Sequence, residues 1–193
     1  MLDIIFYATF FSLLILDIMI LITINSKIKF WPPLNSKTKL ILNWIPTYIF
    51  MGGIVLIGYF DFNTFIFKSI IFKIVSLPLI LVGLYIGIIG FISFKTKETL
   101  GIDIIKLKTT GIYEISRNPQ YTGDILWIFG YMLFCNSLYL YIAGAMAILW
   151  FLLAPFAEEP ILLNTFGKEF IKYKNITPKF INLHSIKKIF RRK

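Results

Sequence analysis

The chain alternates between long apolar runs and short polar connections, and this pattern predicts its secondary structure. An apolar run of about 17 to 25 residues has the length of a membrane-spanning helix. Five runs meet this condition: Ile4 to Ile24, Trp44 to Phe60, Ser69 to Phe94, Pro119 to Cys135, and Leu138 to Ala157. We therefore predict an all-α integral membrane protein with about five transmembrane helices. The acid in the opening "MLDIIFYATF" is atypical of a signal peptide, so we expect the first helix to be retained.

A different pattern follows Pro160, where apolar and charged positions alternate at helical spacing. The apolar positions recur at intervals of three and four residues, with lysines and a glutamate between them. These positions are Ile161, Leu162, Phe166, Phe170 and Tyr173. The pattern is typical of an amphipathic helix that lies in the membrane interface. We expect this helix to start at Pro160, because the first helical turn needs no backbone N–H there.

Positive charge is concentrated in every second connection between the predicted spans. The first and third connections and the C-terminal tail hold most of the 20 lysines and arginines. The other connections hold only Lys68, with Lys73 just inside the third span. The positive-inside rule then predicts that the N-terminus lies outside and the C-terminus in the cytoplasm.

The composition agrees with a membrane protein. Hydrophobic residues make up 58% of the chain and the mean hydropathy is +0.78, whereas soluble domains seldom exceed about half apolar residues. The net charge of +10 is explained by membrane topology, so we expect no nucleic-acid partner. We predict one membrane domain over residues 1–193, with a three-helix part at 1–94 and a catalytic part at 95–193. No metal-ligand set is visible, and His184 is interpreted as a solvated residue of the basic tail.

The fourth and fifth spans should be antiparallel neighbours, because only Asn136 and Ser137 separate them. The loop with Arg117 and the end of the fifth span, with Glu158 and Glu159, then emerge on the same predicted cytoplasmic side. Two adjacent acids at a helix end need a cationic partner, and Arg117 is available. In the third span, Gly83 and Gly87 are typical of close helix packing.

Two stretches carry a resemblance to a known superfamily. The stretch "TTGIYEISRNPQYTGDILW" is similar to the G-x-Y and R-H-P-x-Y-x-G signature of isoprenylcysteine carboxyl methyltransferases and phospholipid N-methyltransferases. The later stretch "EEPILLNTFGKEFIKYKNITPKFI" resembles the second element of that superfamily, in the right order and at the right separation. The resemblance covers roughly the last 85 residues. It implies an integral membrane methyltransferase that uses S-adenosylmethionine as its cofactor.

The resemblance also implies which residues bind the cofactor. They match an L-G pair, the H-x-L-V stretch, the G-x-Y tyrosine, the R-H-P-x-Y run and the acid pair. In this chain they are Leu100, Gly101, Lys106, Leu107, Lys108, Tyr113, Arg117, Asn118, Pro119, Gln120, Tyr121, Glu158 and Glu159. Of these we expect Glu158 and Arg117 to be catalytic, and we expect no metal in the site.

These residue types suit S-adenosylmethionine, which carries an ammonium, a carboxylate and a sulfonium. Glu158 and Glu159 can hold the ammonium, and Arg117 can pair with the carboxylate. Tyr113 and Tyr121 offer ring faces to the adenine or the sulfonium. Backbone amides beside the start of the fourth helix are expected to be free for an anion or an adenine edge.

Each of these residues also has a purely structural interpretation. Arg117 can be a positive-inside anchor, and Tyr113 and Tyr121 can be aromatic-belt anchors. The acid pair can cap the interfacial helix through its dipole. Asp124 can bind a neighbouring helix instead of a ligand. Asp17 in the first span is a functional candidate because it is an intramembrane acid, but the sequence names no partner for it.

Three positions depart from the superfamily pattern. Asn118 and Ile105 stand where it has histidines, and Ala154 stands where prenylcysteine-methylating members carry an arginine. These changes bear on the acceptor, which remains either a prenylcysteine carboxylate or a lipid amine, with Glu158 as the base for an amine. We expect the membrane to be either a prokaryotic plasma membrane or the endoplasmic reticulum.

Two other functions compete with methyl transfer. The stretch "RNPQYTGD" also resembles an element of NADPH-dependent sterol reductases, although those enzymes are much longer. The lost histidines and Ala154 are compatible with a non-catalytic relative. Heat stabilisation by S-adenosylmethionine or by NADPH would distinguish a methyltransferase from a reductase.

Overall fold

All the regular secondary structure in the part of the chain that the structure describes is helical. This computed structural model describes residues 1–66, 69–94, 96–104, 106–182 and 185, and Ile105 and His184 lie outside these ranges. Within them no strand occurs, which confirms the all-α prediction. A 3₁₀ turn covers Gly111–Glu114. The helices are α1 (Leu2–Asn25), α2 (Lys37–Phe60), α3 (Ile70–Ile92), α4 (Thr96–Thr99), α5 (Pro119–Cys135), α6 (Leu138–Phe166) and α7 (Lys168–Ile176).

Four helices of the described chain are long and apolar enough to cross a membrane, namely α1, α2, α3 and α6. Their length and composition support an integral membrane protein. Helix α5 has 17 residues. At about 1.5 Å per residue it is about 25 Å long, somewhat shorter than a hydrocarbon core of about 30 Å. A fifth crossing and the sides of the termini therefore stay predictions.

The end of α6 corrects the prediction for Pro160. This residue does not begin a helix, because α6 continues through Pro155 and Pro160 to Phe166. Each proline removes one backbone hydrogen bond of the helix, but the helical turns on either side remain intact. Glu158 and Glu159, just before Pro160, are bound by residues of neighbouring segments. The chain then turns at Gly167, whose φ of +50° lies in a region that favours glycine. Helix α7 follows and buries Phe170 and Tyr173.

Local signals explain the other helix ends. Helix α2 begins at Lys37 rather than Trp44, because the side chain of Ser36 accepts a hydrogen bond from the backbone N–H of Lys39 and caps the helix. Asn136 ends α5 in the left-handed conformation. The hydroxyl of Ser137 then accepts a hydrogen bond from the Leu140 N–H and starts α6. The turn between α5 and α6 is therefore as short as predicted.

Helix packing leaves a gap between α2 and α3. Helix α3 packs extensively on α5, and α1 packs on α2 and α6, whereas α2 and α3 make little direct contact. A Cβ atom on Gly123 of α5 would lie 2.3 Å from the backbone nitrogen of Gly87 and 2.6 Å from the carbonyl oxygen of Gly83. The close packing predicted for Gly83 and Gly87 is thus confirmed. The tight α3–α5 pair and helix α2 form two walls with a space between them.

Candidate functional site

A cavity of about 460 Å³ lies between these walls, where α2, α3, the start of α5 and the end of α6 meet the loop before the 3₁₀ turn. Ligand sites in proteins commonly have volumes of about 300 to 1,000 Å³. Most of the residues predicted to bind a cofactor line this cavity. They are Gly101, Lys106, Leu107, Lys108, Tyr113, Arg117, Asn118, Gln120, Tyr121, Glu158 and Glu159.

Two predicted residues, Leu100 and Pro119, are not part of the lining. The carbonyl of Leu100 accepts a hydrogen bond of 3.1 Å from Nε1 of Trp44, which fixes the loop to α2. Pro119 is buried at the first position of α5, where its missing N–H is not needed. Both residues therefore support the segments that line the cavity without lining it themselves.

Arg117 and Glu159 form an ion pair beside the cavity. A guanidinium nitrogen of Arg117 lies 2.6 Å from Oε1 of Glu159, and the two side chains are only 8% and 13% exposed. Lys174 and Lys179 also contact the Glu159 carboxylate, at 3.3 and 3.4 Å. Arg117 donates further hydrogen bonds to the carbonyls of Lys174 and Thr177. The charge of Glu159 is therefore compensated within the protein, and its carboxylate ties α6 to the chain after α7.

Glu158 has different surroundings from its neighbour. Trp31 Nε1 donates a hydrogen bond of 2.7 Å to Oε1 of Glu158, and the Tyr121 hydroxyl donates to the same oxygen. No donor of the described residues reaches Oε2, and no cation among them pairs with this carboxylate. Because Glu158 lines the cavity, its second oxygen and its charge are available to a cationic ligand group.

One further polar group of Arg117 has no partner. Its Nε atom is buried and makes no hydrogen bond to any described residue. A buried donor without a partner costs free energy, so such an atom indicates a missing acceptor. Arg117 lines the cavity, and an anionic ligand group is one acceptor that would satisfy it.

Tyr113 lines the cavity beside α3. Its hydroxyl donates a 3.2 Å hydrogen bond to the carbonyl of Gly90 on α3, and its ring packs edge-on against Phe94. The Tyr173 hydroxyl donates a 2.6 Å hydrogen bond to the Tyr113 carbonyl. Burial raises the pKa of the Tyr113 hydroxyl and Glu158 raises it further, so this hydroxyl remains a donor at neutral pH. Burial also raises the pKa of Tyr173.

Two of the backbone amides beside the start of α5, those of Arg117 and Asn118, are already in use, so the expectation of free amides is wrong for these two. The N–H of Arg117 donates to the Pro178 carbonyl and that of Asn118 to the Lys179 carbonyl, at 2.9 and 3.2 Å. The side-chain amide of Asn118 donates to the same Lys179 carbonyl at 3.1 Å. Asn118 therefore anchors the segment after α7. Burial lowers the pKa of the Lys179 ammonium, and Glu159 opposes this shift.

Aromatic side chains make up much of the remaining lining. Trp31 lies edge-on to Trp150, with ring centroids 5.4 Å apart, and Tyr121 lies edge-on to Trp150 at 6.1 Å. Trp44 of α2 packs against Trp31. The sequence interpretation missed Trp31 and Trp44, although a tryptophan followed by two prolines in a basic connection was a visible signal. Ala154, the third departure from the superfamily pattern, is fully buried in the helix core.

Comparison with known proteins identifies a family for most of the segment that forms this cavity. A family model described as phospholipid methyltransferase matches residues 71–169, which is just over half of the chain. The matched segment runs from α3 into α7 and contains Arg117, Tyr121, Glu158 and Glu159. No curated protein and no solved structure shows significant similarity to the chain.

Proposed function

The chain belongs to the phospholipid methyltransferase family, and we propose that it uses S-adenosylmethionine to methylate a lipid-like acceptor in this cavity. The observation that carries the proposal is Glu158, a cavity carboxylate with two neutral donors on one oxygen and no cationic partner in the described chain. A cofactor with an ammonium group supplies the missing partner.

The described residues fit the cofactor group by group. Oε2 of Glu158 can bind its ammonium, and Nε of Arg117, which lacks a partner, can bind its carboxylate. The ring faces of Tyr121 and Trp150 suit an adenine or a sulfonium. When bound, S-adenosylmethionine supplies an electrophilic methyl group on a sulfonium sulfur. The protein contributes chiefly alignment and exclusion of water.

The two acids take separate roles in this proposal, whereas the sequence suggested that both hold the ammonium. Glu158 binds ligand, and Glu159 holds Arg117 in place through the 2.6 Å ion pair. Lys106 and Lys108 at the cavity rim remain candidate anion-binding residues. The positive-inside pattern supports a cytoplasmic position for this end of the cavity.

We propose that the acceptor enters sideways from the bilayer. Leu84, Ile88 and Phe91 of α3 line the cavity and are also exposed on the protein surface, beside the gap between α2 and α3. An apolar entrance of this kind suits a lipid tail. Family membership favours the amine of a phospholipid head group over a prenylcysteine carboxylate, and methyl transfer over sterol-type reduction.

Cofactor binding tests the proposal. Isothermal titration with protein purified in nonionic detergent should show S-adenosylmethionine binding that Glu158→Gln weakens by about tenfold, because one charge-assisted hydrogen bond is lost. Glu169→Gln is the matched control, since Glu169 is exposed on α7. Heat stabilisation by NADPH but not by S-adenosylmethionine would contradict the proposal in favour of a reductase. Binding without methyl transfer to any lipid would indicate a non-catalytic relative.

A further inference from the structure

Another carboxylate of the same cavity is not among the groups proposed to bind the cofactor. Asp124 lies on α5, one helical turn after Gln120, and lines the cavity. Nε1 of Trp127 donates a hydrogen bond of 3.1 Å to its Oδ1. Among the described residues no donor reaches Oδ2, and no lysine or arginine pairs with this carboxylate. Asp124 is thus, like Glu158, an acid in the cavity that lacks a cationic partner.

The surroundings of Asp124 place it on the membrane side of the cavity. Along α5 it lies about 4.5 Å further from the helix start than Tyr121, the residue that binds Glu158. Gly87 of α3 faces it, and a Cβ atom there would lie 3.8 Å from Oδ1, so the glycine leaves the carboxylate uncovered. Leu84 and Ile88, on either side of Gly87, line the cavity and are 40% and 57% exposed.

Burial of a charged carboxylate in apolar surroundings costs free energy unless a cation or several hydrogen-bond donors compensate its charge. One indole N–H is a small compensation, and it leaves Oδ2 without a donor among the described residues. An amino group on the acceptor supplies both a charge and donors. The rings of Trp127 and Phe91, which also line this part of the cavity, suit an alkylammonium.

We propose that Asp124 binds the amino group of the lipid acceptor, points its nitrogen toward the methyl donor and accepts its proton. This inference rests on the proposed methyltransferase function and assigns a second carboxylate to the acceptor. Glu158 and Asp124 then divide the cavity into a cofactor end and an acceptor end. This assignment replaces Glu158 as the base for an amine acceptor.

The proton balance requires such a group. An alkylammonium has no lone pair, so one proton passes to the Asp124 carboxylate before the nitrogen can react. The nitrogen lone pair then forms the new C–N bond while the C–S bond breaks and its electron pair stays on sulfur. Positive charge moves from sulfur to nitrogen, and Asp124 releases its proton to water. One proton is released for each methyl group transferred.

Binding of simple amphiphiles tests the inference without the reaction. The probes are decylamine and decanol, compared by thermal stabilisation of the full chain in nonionic detergent. The wild-type protein should bind decylamine about tenfold more tightly, although its net charge of +10 opposes a cation. Asp124→Asn, which keeps an acceptor for Trp127, should reduce this preference to what Glu158 alone supplies. Asp103→Asn is the matched control, because Asp103 also lines the cavity but accepts a bond from the N–H of Ile104 in the loop.

A second variant keeps the inference testable if Asp124→Asn fails to fold. Gly87→Leu leaves the carboxylate in place but covers it from α3, and it should also reduce the preference for the amine. An unchanged preference in either variant, or no preference in the wild type, would overturn the assignment of Asp124. S-adenosylmethionine binding is measured on the same samples. If the protein shows the preference for the amine but does not bind S-adenosylmethionine, the result would count against the proposed function and not against the assignment of Asp124.

Discussion

The indole Nε1 of Trp31 donates a 2.7 Å hydrogen bond to Oε1 of Glu158, across 127 positions of sequence. The Tyr121 hydroxyl donates to the same oxygen, so the loop after α1 and the start of α5 both bind one carboxylate at the end of α6. This arrangement orients Glu158 by neutral donors and leaves Oε2 for a ligand. The predictions below follow from this relationship and from the packing around it.

Replacing Trp31 by phenylalanine should weaken cofactor binding while keeping most of the aromatic wall. The ring stays near Trp150, but Glu158 loses one of its two donors and becomes less well oriented. We expect the Kd for S-adenosylmethionine to rise by about tenfold, as loss of a hydrogen bond to a charged group implies. Isothermal titration measures this change. Trp44→Phe is the control, since the Trp44 indole donates to the Leu100 carbonyl instead.

Trp31→Phe and Tyr121→Phe should not act independently. Both donors bind Oε1 of Glu158, so removal of either one loosens the same carboxylate. The double variant should differ from the sum of the single effects by about 0.5 to 3 kcal/mol in binding free energy. Strict additivity in a double-mutant cycle would show that the two residues do not act through Glu158.

Glu159→Gln should chiefly lower stability and Glu158→Gln should chiefly lower cofactor affinity, although the two residues are adjacent. Glu159 is bound by Arg117, Lys174 and Lys179, so its replacement should lower the free energy of unfolding by about 2 kcal/mol. Cofactor affinity should change by less than about threefold, because the carbonyls of Lys174 and Thr177 still hold Arg117. Glu158→Gln should weaken binding more than folding. Thermal unfolding and titration of both variants in detergent measure the difference, and equal profiles would contradict it.

Gly123→Ala should disrupt the α3–α5 pair. A Cβ atom there would lie 2.3 Å from a backbone nitrogen of α3, which cannot move aside as a flexible side chain can. We expect a loss of at least about 3 kcal/mol or failure to give a monodisperse protein. Gly52→Ala is the control, because nothing lies within 4 Å of its Cβ position. It should be neutral or stabilising, since alanine favours a helix by about 0.5 to 1 kcal/mol.

Gly87→Ala should impair the acceptor rather than the fold. Its Cβ atom would make only ordinary contacts of 3.8 to 3.9 Å, so α3 and α5 can stay in place. The added methyl group lies beside Asp124, where the lipid head group is proposed to bind. The KM for the lipid should rise by about threefold or more, while the Kd for S-adenosylmethionine stays unchanged. Loss of stability comparable with that of Gly123→Ala would contradict this expectation.

Much of the helical pattern could be predicted because it depends on local signals. Pro119 and Asn136 define α5 through backbone restrictions that sequence displays directly. The start of α2 was missed because polar residues after the Ser36 cap hid a helix that extends beyond its apolar run. The continuation of α6 past Pro160 was missed because tertiary partners of the adjacent acids outweigh the local signal of a proline.

The candidate site was predictable as a set of residues but not as a set of contacts. Motif spacing and charge alternation indicated that Arg117 and the acid pair belong together. Which acid binds Arg117 depends on the direction of each side chain on α6, and a sequence pattern does not give that direction. Trp31 joins the site only through the packing of α1 and α2 on α6, so neither of the two stretches that carry the family resemblance pointed to it.

Asp17, the acid within the first span, has no role in the proposed function. It is buried, with 6% of its surface exposed, and its Oδ1 has no hydrogen-bond partner among the described residues. It does not line the cavity. No part of the proposed reaction depends on it.

Transfer of a labelled methyl group tests the proposed function most directly. Purified protein is reconstituted in phospholipid vesicles with S-adenosylmethionine labelled on its methyl group, and the lipid fraction is extracted and counted. Label should enter the lipid with the wild type and with Glu169→Gln, and should fall by at least about tenfold with Glu158→Gln. Equal labelling by Glu158→Gln and the wild type would contradict the role assigned to this carboxylate, and no labelling by the wild type would contradict the proposed reaction.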